Sequence, residues 1–373
     1  MGNCCIERKS LYLQEAVREI AREKGLILGE MAEFVVAAKE GLFNVTILMT
    51  SVGDCCGILK SVVIHDGVTN IMEGVFYDCD SLTSVVIPDS VTSIGEEAFS
   101  GCSSLTSIEI PDSVMNIGRW AFYGCNGLTS VEIPESVTSI GDGAFAGCSS
   151  LKSIVVSANN TAYKSIDGNL YSKDGKTLIQ YAIGKTAKSF TIPYGVTNIG
   201  DGAFKNCSNL TEVIIPDSVT SIGDSAFYRC RRLTGIVIPD GVTSIRRSTF
   251  EDCGRLTSIE IPNSVTKIEE YAFLGCKSLK SVAIPDGVTI IYRSMFLGCK
   301  SLTSVVIPDS ITEIEDYAFR GCKNLTNVVI GNGVTSIGWG AFSKCSNLTS
   351  AIIPDSVTSV GKYAFAGCKL LKQ

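Results

Sequence analysis

The chain has 373 residues, of which 45% are hydrophobic and 19% are charged, and its formal net charge at pH 7 is −6. This balance provides no basic field for nucleic acid, so we expect no nucleic-acid partner. No stretch reaches the roughly 18 to 20 apolar residues of a membrane-spanning helix, so no transmembrane segment is predicted.

The chain begins Met-Gly-Asn-Cys-Cys, which resembles the start of dually acylated proteins. Acylation would fall on Gly2 and on Cys4 or Cys5, but Ile6 stands where Ser or Thr is usual, which favours an unmodified terminus. The charged residues 7–9 are not followed by an uninterrupted apolar run, so no secretory signal is predicted.

Two segments near the N-terminus carry apolar residues at helical spacing, which predicts two short amphipathic helices. The first covers residues 10–24 and the second covers 28–36, before Gly41. We interpret them as a cap that covers the exposed core at the start of the repeats that follow. The alternative is that they form a docking helix for a membrane or a partner. Residues 44–50 are expected to be the strand of a degenerate first coil, so residues 1–58 form cap and first coil together.

From residue 59 onward a unit of 23 residues recurs. The unit Leu82–Ser104 reads LTSVVIPDSVTSIGEEAFSGCSS, and the same frame starts again at Leu105 and Leu128, and later from Ala187 through Leu348. A fixed period of this length is the signature of a solenoid. A single coil cannot bury its own apolar side chains, and stacking against neighbouring coils buries them.

Each unit predicts one short strand, because β-branched residues alternate up to Pro88-Asp89, where the ladder must end. Val91 and Ile94 are then expected to point inward from a second extended or turn segment. Residues 96–99 are long enough for one helical or 3₁₀ turn. The predicted fold class is therefore an α/β repeat that is mostly β.

The motif Cys102-x-x-Leu105-x-x-Ile108-x-Ile110 resembles the leucine-rich repeat consensus, with Cys where Asn is often found. The added IPxSVTxIGxxAFxxC is similar to the BspA-like class of leucine-rich repeats, found on bacterial surface proteins and in some protist parasites. The resemblance covers roughly residues 59–370. It implies a right-handed solenoid with one parallel sheet, used for protein binding and adhesion.

Sixteen cysteines occur, and thirteen of them fall on one position of the 23-residue frame. We expect this column to point into the coils as buried, reduced thiols, because parallel stacking aims neighbouring Cβ atoms the same way. Metal ligation by the column is not expected, since a tetrahedral site needs converging ligands. The column consists of Cys56, Cys79, Cys102, Cys125, Cys148, Cys207, Cys230, Cys253, Cys276, Cys299, Cys322, Cys345 and Cys368.

The 23-residue repeat is interrupted after residue 156 and resumes at residue 187, so the repeats form a first block, 59–156, and a second block, 187–373. Residues 157–186 are predicted to be a β-hairpin insertion, with Asp174-Gly175 as the turn between two apolar runs. The insertion is either a tolerated structural island or a binding or hinge feature.

No enzyme is predicted, because no acid, base or nucleophile converges with the single histidine, His65. No phosphate-binding glycine motif occurs, and no metal or cofactor is expected.

The outward position of each predicted strand is apolar in most units, which is unusual for an exposed sheet and suggests a protein-contact surface. The alternative is β-propensity propagated by repeat duplication. The candidate binding residues are Val86, Glu109, Glu132, Ile214, Val237, Glu260, Val306, Val329 and Ile352. Clustered aromatic residues (Trp120, Tyr271, Tyr317, Trp339, Tyr363) and arginines (Arg229, Arg231, Arg232, Arg246, Arg247, Arg255) are further candidates for an interface, or else ordinary solvated surface residues.

The chain is thus predicted to be a non-enzymatic protein-binding scaffold with a protein ligand. By the resemblance it would act in cell-surface adhesion, at the surface or secreted. The alternative is an intracellular interaction or regulatory scaffold in the cytoplasm, with or without a lipid anchor.

Overall fold

The structure is a computed structural model that describes residues 32–37, 44–49, 59–64 and 66–369. The first predicted helix, the acylation sites, His65 and Cys56 lie outside the described residues. The chain divides into two compact units, one formed by Met1–Asp174 with Gln180–Lys185 and the other by Gly175–Ile179 with Thr186–Gln373.

Across the described residues the chain forms strands and turns, and no helix is present. Nothing in this part of the chain has the helical length and apolar character needed to cross a bilayer. The strands up to residue 172 are β1 Ala32–Ala37, β2 Asn44–Met49, β3 Ser61–Ile64, β4 Asn70–Ile71, β5 Ser84–Val86, β6 Ser93–Ile94, β7 Asn116–Ile117, β8 Ser130–Ile133, β9 Ser139–Ile140, β10 Ser153–Val156, β11 Tyr163–Ile166 and β12 Asn169–Ser172. The strands that follow are β13 Thr177–Gln180, β14 Ser189–Thr191, β15 Asn198–Ile199, β16 Glu212–Ile214, β17 Ser221–Ile222, β18 Gly235–Val237, β19 Ser244–Ile245, β20 Ser258–Glu260, β21 Lys267–Ile268, β22 Ile290–Ile291, β23 Ser304–Ile307, β24 Glu313–Ile314, β25 Asn327–Ile330, β26 Ser336–Ile337, β27 Ser350–Ile352 and β28 Ser359–Val360.

Both units are parallel solenoids of stacked coils, as the period predicts. Strands that pair between coils are in register with the 23-residue frame, so Val62 lies beside Val85 and Val305 beside Val328. A typical coil contributes two strands, one of three or four residues and one of two residues. The short strands form their own ladders, β4-β6-β7-β9 in the first unit and β22-β24-β26-β28 in the second. The prediction of one parallel sheet was therefore incomplete, because the second extended segment also pairs.

The core of each coil is a set of columns. Phe76, Phe99, Phe122 and Phe145 stack with ring centroids 5.1–5.4 Å apart and interplanar angles of 2–13°. A second column runs from Phe204 to Phe365 with centroids 4.9–5.7 Å apart. Nearly all of these rings are buried, so the stack removes a large apolar area from water in every coil.

The corner before each phenylalanine is not a helical or 3₁₀ turn, so the helical part of the predicted fold class is wrong for the described residues. At this corner alternate residues donate to the next coil, as in Glu97 N to Arg119 O at 2.9 Å and Phe99 N to Ala121 O at 2.7 Å. Glu97 takes a positive φ of 54°. Because these N–H groups leave the coil, the bonds that would build a continuous helix do not form.

The N-terminal prediction is also corrected. Residues 32–37, placed in the second cap helix, form β1, which pairs antiparallel with β2. The run Phe34-Val35-Val36 favours a strand, and a short apolar run does not separate helix from strand by period alone. Strand β2 occurs where a strand was predicted, but it pairs antiparallel with β3 and so is not a coil of the parallel ladder.

The insertion has one more strand than the sequence indicates. Strands β12 and β13 flank Asp174-Gly175 as predicted, and β11 precedes them. Strands β11 and β12 pair antiparallel through Asp167-Gly168, whose φ values of 49° and 69° suit a tight hairpin turn. The buried Asn160 donates to Pro134 O at 2.7 Å and Val137 O at 2.9 Å, which ties this segment to the preceding coil.

Candidate protein-contact surface

The candidate surface is the outward row of the longer strands. Side chains alternate along a strand, so Ile236 of β18 points inward and is 5% exposed, whereas Val237 points outward and is 58% exposed. All nine candidate residues predicted from the sequence are exposed. Glu109 holds the same frame position as the others but lies in a segment that is not a strand.

In the first unit two candidate residues each lie beside another outward residue of the row. Val86 of β5 is in register with Val63 of β3, and Glu132 of β8 is in register with Val155 of β10. Adjacent strands lie about 4.8 Å apart, so these side chains are neighbours. This unit therefore presents a mixed apolar and acidic row.

In the second unit the row contains the longest apolar stretch in register. Val306, Val329 and Ile352 lie side by side on β23, β25 and β27 and are 65%, 37% and 60% exposed. Val237 is next to Glu260 on the neighbouring strand, so a carboxylate interrupts the row there. The apolar residues could bury against a partner, while the carboxylates would favour a complementary charge.

Threonines border the outward row and stiffen it. Thr303 Oγ1 donates to Lys280 O at 3.3 Å, Thr326 Oγ1 to Thr303 O at 3.1 Å and Thr349 Oγ1 to Thr326 O at 3.3 Å. Each hydroxyl bonds to the main chain of the preceding coil, so the surface is held by side-chain as well as main-chain bonds.

The cysteine column lies behind this surface. The described members are thiols, and most donate to the main chain, as in Cys253 Sγ to Phe227 O at 3.1 Å. Burial raises the pKa of the Cys148 and Cys299 thiols to about 12. Cys368 differs from the prediction, because it is only partly buried. The part of the chain that the structure describes has no group of three or more His, Cys, Asp or Glu arranged to hold a metal ion.

The arginine cluster is divided between several contacts. Arg229 Nε lies 3.5 Å from Asp252 Oδ2, and Arg246 Nη1 lies 3.9 Å from Asp201 Oδ1. Burial, followed by the neighbouring Asp201 carboxylate, raises the pKa of Asp224 beside this group. These ion pairs are exposed and contribute little to stability.

The predicted aromatic cluster does not form one patch. In the first unit the guanidinium of Arg119 stacks 3.8 Å from the ring centroid of Trp120. In the second unit Tyr317, Trp339 and Tyr363 meet edge-to-face beside a cavity of about 390 Å³. The sequence analysis did not predict this cavity. The signal in the sequence is that Gly340 and Ser343 stand at the frame positions where the preceding coil has Tyr317 and Arg320.

Comparison with known proteins agrees with the repeat and the stacked coils. The family model described as a BspA type leucine rich repeat region matches in six copies, over residues 51–174, 181–261 and 243–372. The chain belongs to this BspA-type leucine-rich repeat family. Such repeat families are typically non-catalytic scaffolds.

Solved structures of leucine-rich repeat proteins are similar to this BspA-type chain. One from Eubacterium ventriosum is 28% identical, with a TM-score of 0.63 and coverage of 84% of each chain. Another from Bacteroides ovatus is 33% identical, with a TM-score of 0.55, and the match covers 87% of this chain and 81% of that one. No curated protein sequence matches this chain.

Proposed function

We propose that the chain is a non-enzymatic scaffold that binds a protein partner through the outward row of its longer strands, in adhesion at a cell surface. The observation that supports it is the exposed apolar run of Val306, Val329 and Ile352, held in register by the parallel ladder. An exposed apolar run held on a rigid face is typical of a protein interface.

The experiment compares capture of surface and matrix proteins by the immobilised parent chain and by the double variant Val237→Lys with Val306→Lys. Both residues are exposed, so each change should alter stability by no more than about 0.5 kcal/mol. At position 306, whose neighbour in the row is Val329, an unpaired lysine buried at the interface should cost several kcal/mol of binding, on the order of a hundredfold in affinity or more.

The matched control is Met72→Lys with Met115→Lys. These residues are also apolar, 44% and 47% exposed, and lie away from the outward row. Loss of the captured proteins in the first variant and retention in the second would support the sheet face. Equal capture by parent and both variants would contradict it.

The proposed location has its own test. An antibody against the chain should label intact, unpermeabilised cells that produce it. Labelling that requires permeabilisation would favour the intracellular scaffold.

A further inference from the structure

A second binding site is suggested by the corner of the last three described coils, away from the outward row. A cavity of about 390 Å³ opens there in the second unit. It is lined by Tyr317, Arg320, Trp339, Gly340, Ser343, Lys344, Tyr363, Ala366 and Gly367. A volume of this size is in the range of small ligand sites and is enough for one side chain of a partner.

The cavity exists because the middle coil carries small residues between larger ones. Tyr317, Gly340 and Tyr363 share one frame position, as do Arg320, Ser343 and Ala366. The two tyrosines are two coils apart, so about 10 Å separates their main chains. A Cβ on Gly340 would lie only 3.2 Å from the Tyr317 ring and 3.3 Å from Ser343 Oγ. Glycine therefore keeps the floor open.

The walls are aromatic and fixed in orientation. Trp339 meets Tyr317 at 4.6 Å between centroids with an interplanar angle of 84°, and Tyr363 at 5.8 Å and 87°. Trp339 and Tyr363 are 39% and 53% exposed. Exposed aromatic side chains held in edge-to-face contact offer apolar area to a partner ring with little ordering cost.

The floor presents one polar group that the fold does not use. Ser343 is only 7% exposed, yet within the described part of the chain its hydroxyl has no hydrogen-bond partner. Because Ser343 lines the cavity, its hydroxyl is available to a ligand with a matching polar group.

The rim is positively charged. Two of the nine lining residues, Arg320 and Lys344, are basic and none is acidic, although the chain as a whole has a net charge of −6. The carboxylate of Asp316, outside the lining, accepts from Trp339 N at 2.7 Å. Arg320, Lys344 and Lys362 surround the cavity or its walls, with Lys362 Nζ 4.9 Å from the Tyr363 ring. Over the residues that the structure describes, none of these three forms an ion pair. This corner is therefore complementary to an anionic partner.

We propose that this cavity binds an acidic peptide segment of a partner protein, whose tyrosine side chain enters beside Trp339 and over Ser343. The phenol ring contacts the aromatic walls, its hydroxyl bonds with Ser343 Oγ, and neighbouring carboxylates face Arg320 and Lys344. A neutral saccharide fits less well, because it brings no negative charge to Arg320 and Lys344.

The test uses the two tryptophans of the chain. In the background Trp120→Phe, Trp339 is the only tryptophan, so its emission excited at 295 nm reports on the cavity. The probe is the blocked pentapeptide Glu-Glu-Tyr-Glu-Glu. The comparison ligands are the same peptide with Ala or Phe at the centre, Lys-Lys-Tyr-Lys-Lys, and free glucuronic acid.

We expect the tyrosine peptide to bind at least tenfold more tightly than the alanine and lysine peptides, and about threefold more tightly than the phenylalanine peptide. Tyr363→Gly, which copies the glycine at position 340, and Lys344→Glu should each weaken binding at least tenfold. Lys323→Glu is the matched control, because Lys323 is exposed but does not line the cavity, and it should retain binding. Far-UV circular dichroism checks that each variant is folded.

The Ser343→Ala variant tests the floor, and it should remove the preference for tyrosine over phenylalanine. Ser100→Ala, at the equivalent and equally buried position of the first unit, controls for loss of a buried hydroxyl. Equal binding of the tyrosine and alanine peptides, no change in Trp339 emission, or saturation by glucuronic acid at lower concentration than by peptide would each overturn the proposal. Val237→Lys with Val306→Lys should leave peptide binding unchanged, which separates this site from the sheet face.

Discussion

The inward and outward rows of the coils share one 23-residue frame but differ in how much they vary. Every described coil from Phe204 to Phe365 has phenylalanine at the stacking position, whereas the outward row includes valine, isoleucine, alanine, threonine and glutamate. Rings stacked 4.9–5.7 Å apart leave no room for a different shape, because interiors are close-packed. Solvent does not restrict the size or shape of an exposed side chain in this way. The differences between coils that matter for binding are therefore expected in the outward row.

The largest effect should come from breaking an inward column. Phe227 is fully buried between Phe204 and Phe250, and Phe227→Ala should lower the free energy of unfolding by about 3 to 5 kcal/mol. Because each coil contacts only its neighbours, the loss should be largest in the adjacent coils. Urea denaturation measures the total, and hydrogen exchange locates it. A loss below about 1 kcal/mol would mean that the column tolerates a cavity.

Two adjacent residues of β18 compare the rows directly. Ile236→Ala should cost about 2 to 5 kcal/mol, since Ile236 is 5% exposed, whereas Val237→Ala should stay within about 0.5 kcal/mol. The same urea titration measures both variants. Similar losses for the two would contradict the inward and outward assignment.

The cysteine column should make stability sensitive to alkali. Burial raises the pKa of the Cys299 thiol to about 12, whereas an unfolded thiol ionises near about 8.5. Below the unfolded value both states keep the proton; between the two values only the folded state keeps it. Stability should therefore fall as pH rises above about 8.5, by up to about 1.4 kcal/mol per pH unit for each such thiol.

The measurement is the urea midpoint from pH 7.5 to 9.5 under reducing conditions. Cys299→Ala should lower the slope of stability against pH by the contribution of one thiol, while a surface variant such as Lys323→Glu should not. A flat profile for the parent would contradict buried, protonated thiols.

The smallest effect is expected at the edge of the outward row. Thr257 Oγ1 donates to Thr234 O at 2.9 Å in an exposed position, where water can replace the bond. Thr257→Val keeps the β-branched shape, so it should cost only about 0.5 kcal/mol. A loss of about 2 kcal/mol or more would show that the threonine border is a main support of the surface.

Much of the fold could be predicted from particular residues. The leucine, phenylalanine and cysteine positions predict which side chains stack, and the parallel register of Val305 with Val328 follows the 23-residue frame. The family prediction is confirmed, and so is the parallel solenoid. The candidate residues Val86 to Ile352 are exposed, and their role in binding stays a prediction.

Other predictions failed for identifiable reasons. The run at Phe34 can read as helix or strand, and pairing with β2 decides for the strand. The corner at Glu97 has the length of a helical turn, but its N–H groups bond to the next coil. The hairpin at Asp167-Gly168 was missed although it has the same turn signal as Asp174-Gly175, because the signal alone does not say which strands pair.

The sequence by itself determined the repeat, the inward columns and the family, because a side chain that recurs every 23 residues must meet its copy in the next coil. Only the tertiary structure decided which main-chain groups pair. It therefore decided that the second extended segment of each coil forms its own ladder, and that the segment predicted as a helical turn is a corner bonded to the next coil. It also decided that Tyr317, Trp339 and Tyr363 line a cavity together with Gly340 and Ser343. A cavity depends on what neighbouring coils leave unfilled, and no single repeat carries that information.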